Sequence, residues 1–413
     1  MNRQETNDQK LQTHVSPQIL PKITTNLRQW NVGSLPVLLG LVLIAIIFQI
    51  ANPNFLSPLN LTNLMVQISA VGTISVGVVL VLLIGEIDLS VGAVSGLCAG
   101  IMAVLSVKSG LPASIAILAG ILSGTAIGLF QGFWIAKLNV PSFVVSLAGL
   151  LGWQGALLYV LGSTGTVNLT DPVIIGIANS QLPVMWGWLI GLIFVAGFAV
   201  SVFYERGQRL KANLPVQPII GYIGRVILVA AATLIMIGIM SVDRNPRRDV
   251  PIQGVPSAVI IFIGFIVLFD FITRRTRFGR SVFAVGGNVE AARRAGINVD
   301  RIRITVFVLG STLAALGGIL AGSRLYAVNQ SSGGGDVLLN AIAAAVIGGT
   351  SLFGGRGNVW SALLGALVIG SIANGMDLLA FSAYIKFMVT GAVLLIAVTI
   401  DAFSRSRQES TGR

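Results

Sequence analysis

Residues 29–85 read QWNVGSLPVLLGLVLIAIIFQIANPNFLSPLNLTNLMVQISAVGTISVGVVLVLLIG, and not one of them is charged. A helix that crosses a bilayer needs about 20 mostly apolar residues, because the hydrocarbon core is roughly 30 Å thick. The stretch holds two such spans, 35–51 and 63–85, and the turn-rich Asn52-Pro53-Asn54-Phe55-Leu56-Ser57-Pro58 divides them. The same pattern continues downstream at 89–107, 112–136, 142–161, 184–204, 221–240, 255–271, 304–323, 337–353, 359–376 and 380–400. The expected fold is therefore all-α, a polytopic transmembrane helical bundle of about 10–12 spans. The tenth segment is short and broken by glycine, so a re-entrant reading stays open for it. A polar arm, 1–34, precedes this membrane domain of 35–401, and a short tail, 402–413, follows it. An apolar signal core would begin much sooner than residue 35, so the arm reads as a retained cytoplasmic segment.

Composition agrees. Of 413 residues 54% are hydrophobic and only 10% charged, with a mean hydropathy of +0.87, whereas soluble domains carry about 25% charged residues. The single Cys98 excludes a disulfide scaffold and a Cys-based metal site. The one histidine, His14, lies in the polar arm, which excludes a histidine metal site or proton relay within the spans. No Gly-Lys pair occurs, so the chain has no Walker phosphate loop, and no cofactor is expected on it. The net charge of +12 is gathered in segments between apolar runs rather than on a basic face with interleaved aromatics. That is the pattern of a membrane protein, not of a nucleic-acid partner.

With the N-terminus in the cytoplasm, the basic segments 205–220 and 274–303 and the tail all fall on the cytoplasmic side, as the positive-inside rule requires. The segments 52–62 and 162–183 carry no basic residue and fall outside. One segment disagrees: Arg244, Arg247 and Arg248 fall outside. Gly120, Gly124, Gly128 and Gly132 stand four apart and predict one helix face on which another backbone can approach closely; Gly96/Gly100 and Gly318/Gly322 repeat the spacing.

Ion-driven carriers place ionisable residues within their spans. This chain has almost none: between Lys137 and Glu205 only Asp171 is charged, and it falls in an outside segment. Lys386 lies about a turn into the last span, near enough to snorkel. Energy is thus expected from another subunit, and 274–303 offers a place for it. Asn288 suits an N-cap, Glu290 the first turn and Gly296 the C′ position, which together predict a two-turn, Arg-rich helix on the cytoplasmic face. Arg277 and Arg280 fall outside that helix.

Three blocks carry a family resemblance. Glu290-Ala291-Ala292, three residues and Gly296 resemble the EAA-x-x-x-G coupling motif of ABC importer permeases, although the Leu-Pro tail of the longer motif is missing, with Val306, Val308 and Leu309 there instead. Gly85-Glu86-Ile87-Asp88-Leu89-Ser90-Val91-Gly92 resembles the Gly-Ile-Asp-Leu-Ser-Val-Gly signature of the sugar permeases of the ribose/arabinose/xylose subfamily. The block 341–357, with Gly348-Gly349-Thr350 and Gly354-Gly355-Arg356-Gly357, is similar to the C-terminal signature of the same subfamily. The blocks run in family order, and the likeness extends from about 60 to 400. Ribose-type members usually have Gly where Glu86 stands, so the Glu resembles the D-xylose branch, as does the additional hydrophobic pair around 205–273.

The resemblance implies the ABC permease fold and a translocation subunit, not an enzyme, in the bacterial inner membrane with both termini cytoplasmic. It implies a second permease copy, a cytoplasmic ATP-binding subunit that hydrolyses the ATP, and a periplasmic sugar-binding protein. Glu290, Ala291, Ala292, Arg293, Arg294 and Gly296 become candidates for coupling to that ATPase. Glu86, Asp88, Ser90 and Gly92 become signature or gating candidates. Asp88 also has a plainer expectation as the cap of a helix opening at Leu89. Glu86, at a span's end, is expected to face a loop, water or a partner, since burying it in hydrocarbon costs about 2–3 kcal/mol.

The glycines of 348–357 fit no nucleotide motif and are expected to form a cytoplasmic turn. Gln67, Ser69, Thr73, Gln131, Gln154, Asn340 and Asn374 are candidates to line a sugar path, with interhelical hydrogen bonding the more general expectation. Trp153 and Tyr159 suit interfacial anchors or stacking on a sugar ring. The competing readings are import of another small solute such as ribose, an ion-coupled carrier and a membrane enzyme. The carrier lacks midplane carboxylates. The enzyme would have only Glu86 and Asp88 to work with.

Overall fold

The computed structural model describes residues 35–216, 218–245 and 251–410. The polar arm, Arg247, Arg248 and the last three residues lie outside the described residues. In chain order the helices are α1 (Leu35–Ala51), α2 (Pro58–Leu83), α3 (Val91–Val107), α4 (Ala113–Lys137), α5 (Ser142–Leu161), α6 (Pro172–Asn179), α7 (Val184–Lys211) and α8 (Ile219–Ser241). There follow α9 (Ser257–Arg275), α10 (Arg277–Gly287), α11 (Val289–Arg294), α12 (Val299–Leu325), α13 (Gly335–Ile347), α14 (Trp360–Leu378) and α15 (Ala383–Ser410). Eight of them are long and apolar enough to cross a membrane, and shorter apolar helices stand at α1, α3, α13 and α15. The chain is a multi-pass helical membrane protein.

Helices α2 and α12 form the middle of the bundle. In its most apolar stretch 89% of the residues of α2 are buried and 61% of those of α12, against 11% in α7 and in α8. The last two are therefore a peripheral pair. Apolar burial alone cannot drive helices together in lipid, so close packing must do so. Glycine supplies it: a Cβ on Gly77 would lie 2.7 Å from the carbonyl oxygen of Gly310, and one on Gly72 only 2.3 Å from Cζ of the buried Phe262. The predicted glycine face on α4 closes on α12 in the same way. A Cβ would come within 2.8 Å of the Ser311 carbonyl oxygen at Gly124, 2.5 Å of that of Phe307 at Gly128 and 2.9 Å of the Ile304 Cα at Gly132. Gly120 meets the Cys98 carbonyl of α3 instead, at 2.9 Å.

The turn before α2 is closed by Asn52, whose side chain accepts from the Asn54 N–H at 3.0 Å. Ser57 then caps α2, with Pro58 in the first turn. The segment 162–183, expected as a plain loop, contains α6 and two short strands. Asp171 caps α6 by accepting from the N–H groups of Val173 (2.8 Å) and Ile174 (3.3 Å). Strand β1 (Thr166–Asn168) pairs antiparallel with β4 (Ala327–Asn329), Val167 opposite Val328, and β2 (Gln181–Leu182) with β3 (Val255–Pro256).

The tenth apolar segment is shorter than expected. Helix α13 ends at Ile347, and its approach packs deep against α3, where a Cβ on Gly96 would lie 2.0 Å from the Ser332 carbonyl oxygen. The basic segment 274–303 is also more ordered than expected: Arg277 and Arg280 belong to α10, which Thr276 caps by accepting from the Gly279 N–H at 3.2 Å.

Candidate functional site

Three backbone segments converge at one end of the bundle. Helix α2 finishes at Leu83, α10 at Gly287, and a glycine-rich turn follows α13. The Gly355 N–H donates to the Leu83 carbonyl at 3.0 Å. A Cβ on Gly286 would sit 1.8 Å from that same oxygen, and one on Gly354 would meet the Gly286 oxygen and the Gly85 Cα, each at 2.8 Å. Only residues without side chains pack so closely. Gly354 (φ +82°) and Gly355 (φ +70°) also take the left-handed conformation that glycine adopts at least cost. The predicted turn is present, and it joins the signature segment to the base of α10.

Helix α11 follows. Asn288 caps it by accepting from the Ala291 N–H at 2.9 Å. Gly296 (φ +81°) ends it, its N–H donating to Arg293 (3.0 Å) while the Ile297 N–H reaches back to Ala292 (3.1 Å). That pair of bonds is a Schellman motif. The helix is six residues long, a little under two turns, and this motif ends it. Ala292 turns inward and is 3% exposed. Glu290, Ala291, Arg293, Arg294 and Gly296 are exposed, with Glu290 and Arg293 paired at 3.0 Å. The result is a small, mostly basic knob.

The signature segment 84–90 is not helical. Gly85 (φ +78°) turns the chain back after α2. Glu86 Oε1 then meets Arg303 Nη2 at 2.9 Å, the two side chains 14% and 20% exposed, so Glu86 is held by a partner within the chain. Arg303 lies in the first turns of α12, just beyond the knob.

Asp88 does not cap a helix at Leu89. Helix α3 opens at Val91, and Asp88 Oδ1 accepts instead from the Ser90 N–H (2.8 Å) and hydroxyl (2.6 Å). Both bonds come from Ser90, two residues on, so the Asp88 carboxylate closes a local turn instead of capping a helix at Leu89. Gln131 of α4 donates to Ser90 Oγ at 2.8 Å, which ties the segment to the bundle. Asp88 Oδ2, Gln131 Oε1 and the Trp153 indole N–H are buried without partners among the described residues. Trp153 stands mid-helix in α5, edge-on to Phe130 with 6.1 Å between ring centres, so it is a packing residue and not an interfacial anchor. Gly92 has backbone against it: a Cβ would lie 2.7 Å from the Gly333 oxygen.

A cavity of about 540 Å³ opens at the other end, between α2, α6, α12 and α14. Asn60, Asn63 and Gln67 contribute one face of α2, while Asn179, Gln181, Arg244, Arg324, Asn374 and Asp377 come from the other elements. Asn60 and Asn374 exchange hydrogen bonds of 2.7 and 3.0 Å. Arg244 is 6% exposed and donates to the Gln181 side chain (3.0 Å) and the Gly254 (3.2 Å) and Met240 carbonyls. Its burial lowers its pKa, and Asp243 opposes that shift.

Of the polar residues singled out from the sequence, Gln67 and Asn374 line this cavity. Ser69 and Thr73 bond back to carbonyls of their own helix, not across helices. Sequence reasoning missed Asn60, Asn63, Asn179, Gln181, Arg244, Arg324 and Asp377 as cavity residues. The only available signal was the i, i+3, i+7 stripe of Asn60, Asn63 and Gln67. Among the described residues no cluster of three or more His, Cys, Asp or Glu side chains could hold a metal.

The family described as "Branched-chain amino acid transport system / permease component" matches residues 60–398. The xylose transport system permease protein XylH of Haemophilus influenzae is 35% identical over 382 residues, 92% of this chain and 99% of that protein. XylH of Escherichia coli K12 is 37% identical over 353 residues, covering 86% of this chain and 87% of its own length. The ribose import permease protein RbsC of Bacillus subtilis is 32% identical over 364 residues, 88% and 91% of the two chains. No solved structure matches.

Proposed function

The chain belongs to the branched-chain amino acid transport system / permease component family, and from that premise we propose that it is the membrane subunit of an ATP-driven, binding-protein-dependent importer of D-xylose. One observation carries the choice of sugar: the xylose permeases are 35–37% identical to it over most of its length, and the ribose permeases follow at 32%. Glu86, where ribose-type permeases usually have glycine, supports the same choice.

The bundle sits in the bacterial inner membrane with the α10–α11 end and both termini in the cytoplasm. The basic segments support this orientation. Arg244, the described member of the one discordant segment, is buried against carbonyls, so it adds little to the charge on the outer face. A cytoplasmic ATP-binding subunit docks on the knob of Glu290, Ala291, Ala292, Arg293, Arg294 and Gly296. Its movement reaches the transport path through two connections: the glycine contacts of 286, 354 and 85, and the Glu86–Arg303 pair. Asp88, Ser90 and Gly92 then set the geometry at the base of α3. A second permease copy completes the pathway, and a periplasmic sugar-binding protein delivers the sugar.

The test is uptake of labelled pentoses by the chain reconstituted with its ATP-binding and sugar-binding partners. D-xylose uptake should exceed D-ribose uptake. Equal or greater uptake of ribose overturns the choice of xylose.

A further inference from the structure

We propose that the outer end of this subunit holds its own weak binding site for a neutral polyhydroxylated ligand, the class to which pentoses belong. The proposal rests on the reading of the chain as a sugar permease for the identity of the ligand, and on the cavity between α2, α6, α12 and α14 for its place.

Asn60, Asn63 and Gln67 stand at i, i+3 and i+7 on α2, so their carboxamides share one face of the helix. Asn60 is occupied structurally, by Asn374 and by the Phe55 carbonyl at 2.8 Å. The carboxamides of Asn63 and Gln67 make no hydrogen bond to any described residue, yet both line the cavity. Each offers a donor and an acceptor about two turns from the outer end of the helix, the pairing that a sugar hydroxyl needs because it both donates and accepts.

The charged groups in the wall already have hydrogen-bond or ionic partners, which favours a neutral ligand. Arg244 is engaged by Gln181 and by the carbonyls of Gly254 and Met240. Asp377 bonds the Lys386 ammonium and faces Arg324. An anion would have to displace the Gln181 and Gly254 oxygens from Arg244, and a cation would have to displace Lys386 from Asp377, whereas a polyol need only meet amides. The volume of about 540 Å³ lies within the range of small-molecule sites and leaves room for water beside a pentose. Weak affinity follows, as a transport pathway requires. The site is a place where sugar released from the binding protein can wait within one subunit.

The test uses the purified chain and the assembled transporter. Saturation-transfer NMR on the detergent-solubilised chain should show binding of D-xylose and xylitol at millimolar concentration and none of D-xylonate, the carboxylate analogue. Asn63→Leu with Gln67→Leu should weaken that binding about tenfold or more, the loss of two hydrogen bonds to hydroxyls, while Gln67→Asn retains it. In the full transporter the double variant should lose uptake to a similar degree. Its ATP hydrolysis should still respond to loaded binding protein, because docking precedes handover.

Unchanged binding and uptake in the double variant, or xylonate binding as well as xylose, overturns the site. A double variant that unfolds at lower temperature than the wild-type chain is replaced by Asn63→Ser with Gln67→Ser, judged by the same outcomes. If the wild-type transporter imports ribose and not xylose, the choice of sugar falls while polyol binding through Asn63 and Gln67 still decides the site.

Discussion

Replacing Glu86 with Gln keeps the shape of the side chain and removes one charge from a pair that water barely reaches. The two side chains are 14% and 20% exposed and their charged atoms 2.9 Å apart. With charge centres about 4 Å apart and an effective dielectric near 20, the attraction is about 4 kcal/mol. Gln recovers part of it through a neutral hydrogen bond, about 1 kcal/mol, but leaves Arg303 desolvated without a counter-charge. The net loss should be about 2–4 kcal/mol, and Arg303→Gln should cost a similar amount for the mirror-image reason. The double variant should cost less than the sum, because the second change removes the orphan left by the first, giving a coupling of about 1–3 kcal/mol. The assay is reversible unfolding of the detergent-purified chain for both single variants and the double, with partner-stimulated ATP hydrolysis measured alongside. Since the pair joins the turn after α2 to the base of α12, both single variants should also lower stimulated hydrolysis. Additive costs, with coupling below about 0.5 kcal/mol, would refute the claim that these residues act as a pair.

Gly128→Ile should destabilise the chain by about 1–3 kcal/mol or more, since the new Cβ falls 2.5 Å from a backbone oxygen of α12 that cannot yield. Gly152→Ile on α5, with nothing within 4 Å of its Cβ position, should be nearly neutral in the same thermal-unfolding measurement. Gly296→Val forces a β-branched residue into a left-handed conformation (φ +81°) at a cost of roughly 1–2 kcal/mol. Together with Glu290→Lys it should abolish co-purification with the ATP-binding subunit while membrane insertion stays normal. Arg277→Ala and Arg280→Ala on α10 should leave co-purification unchanged. Asn374→Leu removes both hydrogen bonds to Asn60 and should lower stability by about 0.6–1.7 kcal/mol, the range measured for interhelical bonds in membranes.

The parts of this fold that are written locally could be read from the chain. Charge-free runs mark the apolar helices, because each must satisfy its backbone internally in lipid. The four glycines of α4 mark a close-packed face, three of them against α12 and Gly120 against α3, since a 3.6-residue repeat puts them on one side. Asn288 and Gly296 bound a helix that forms between them as expected, ended by its own C-terminal motif. Asp171-Pro172 carries the same kind of start signal, an N-cap followed by proline at the first helical position, and α6 begins there.

What escaped the sequence depends on residues far apart or on local competition. Nothing near Glu86 announces Arg303. The sequence does not distinguish a cap at Asp88 from a local turn, because the Ser90 two residues on offers its own N–H and hydroxyl to the carboxylate. Strands of two or three residues, such as β1 and β4, are too short to show a period. The cavity draws on four helices and the segments beside them, so only its α2 stripe left a trace in the order of residues.

The source of energy separates an ATP-driven importer from an ion-coupled carrier. Proteoliposomes containing the chain, its ATP-binding partner and its sugar-binding partner should accumulate labelled D-xylose when ATP is supplied to the cytoplasmic face. Those containing the chain alone should accumulate none under a proton or sodium gradient. Sustained gradient-driven accumulation by the chain alone would contradict the assignment to an ATP-driven importer.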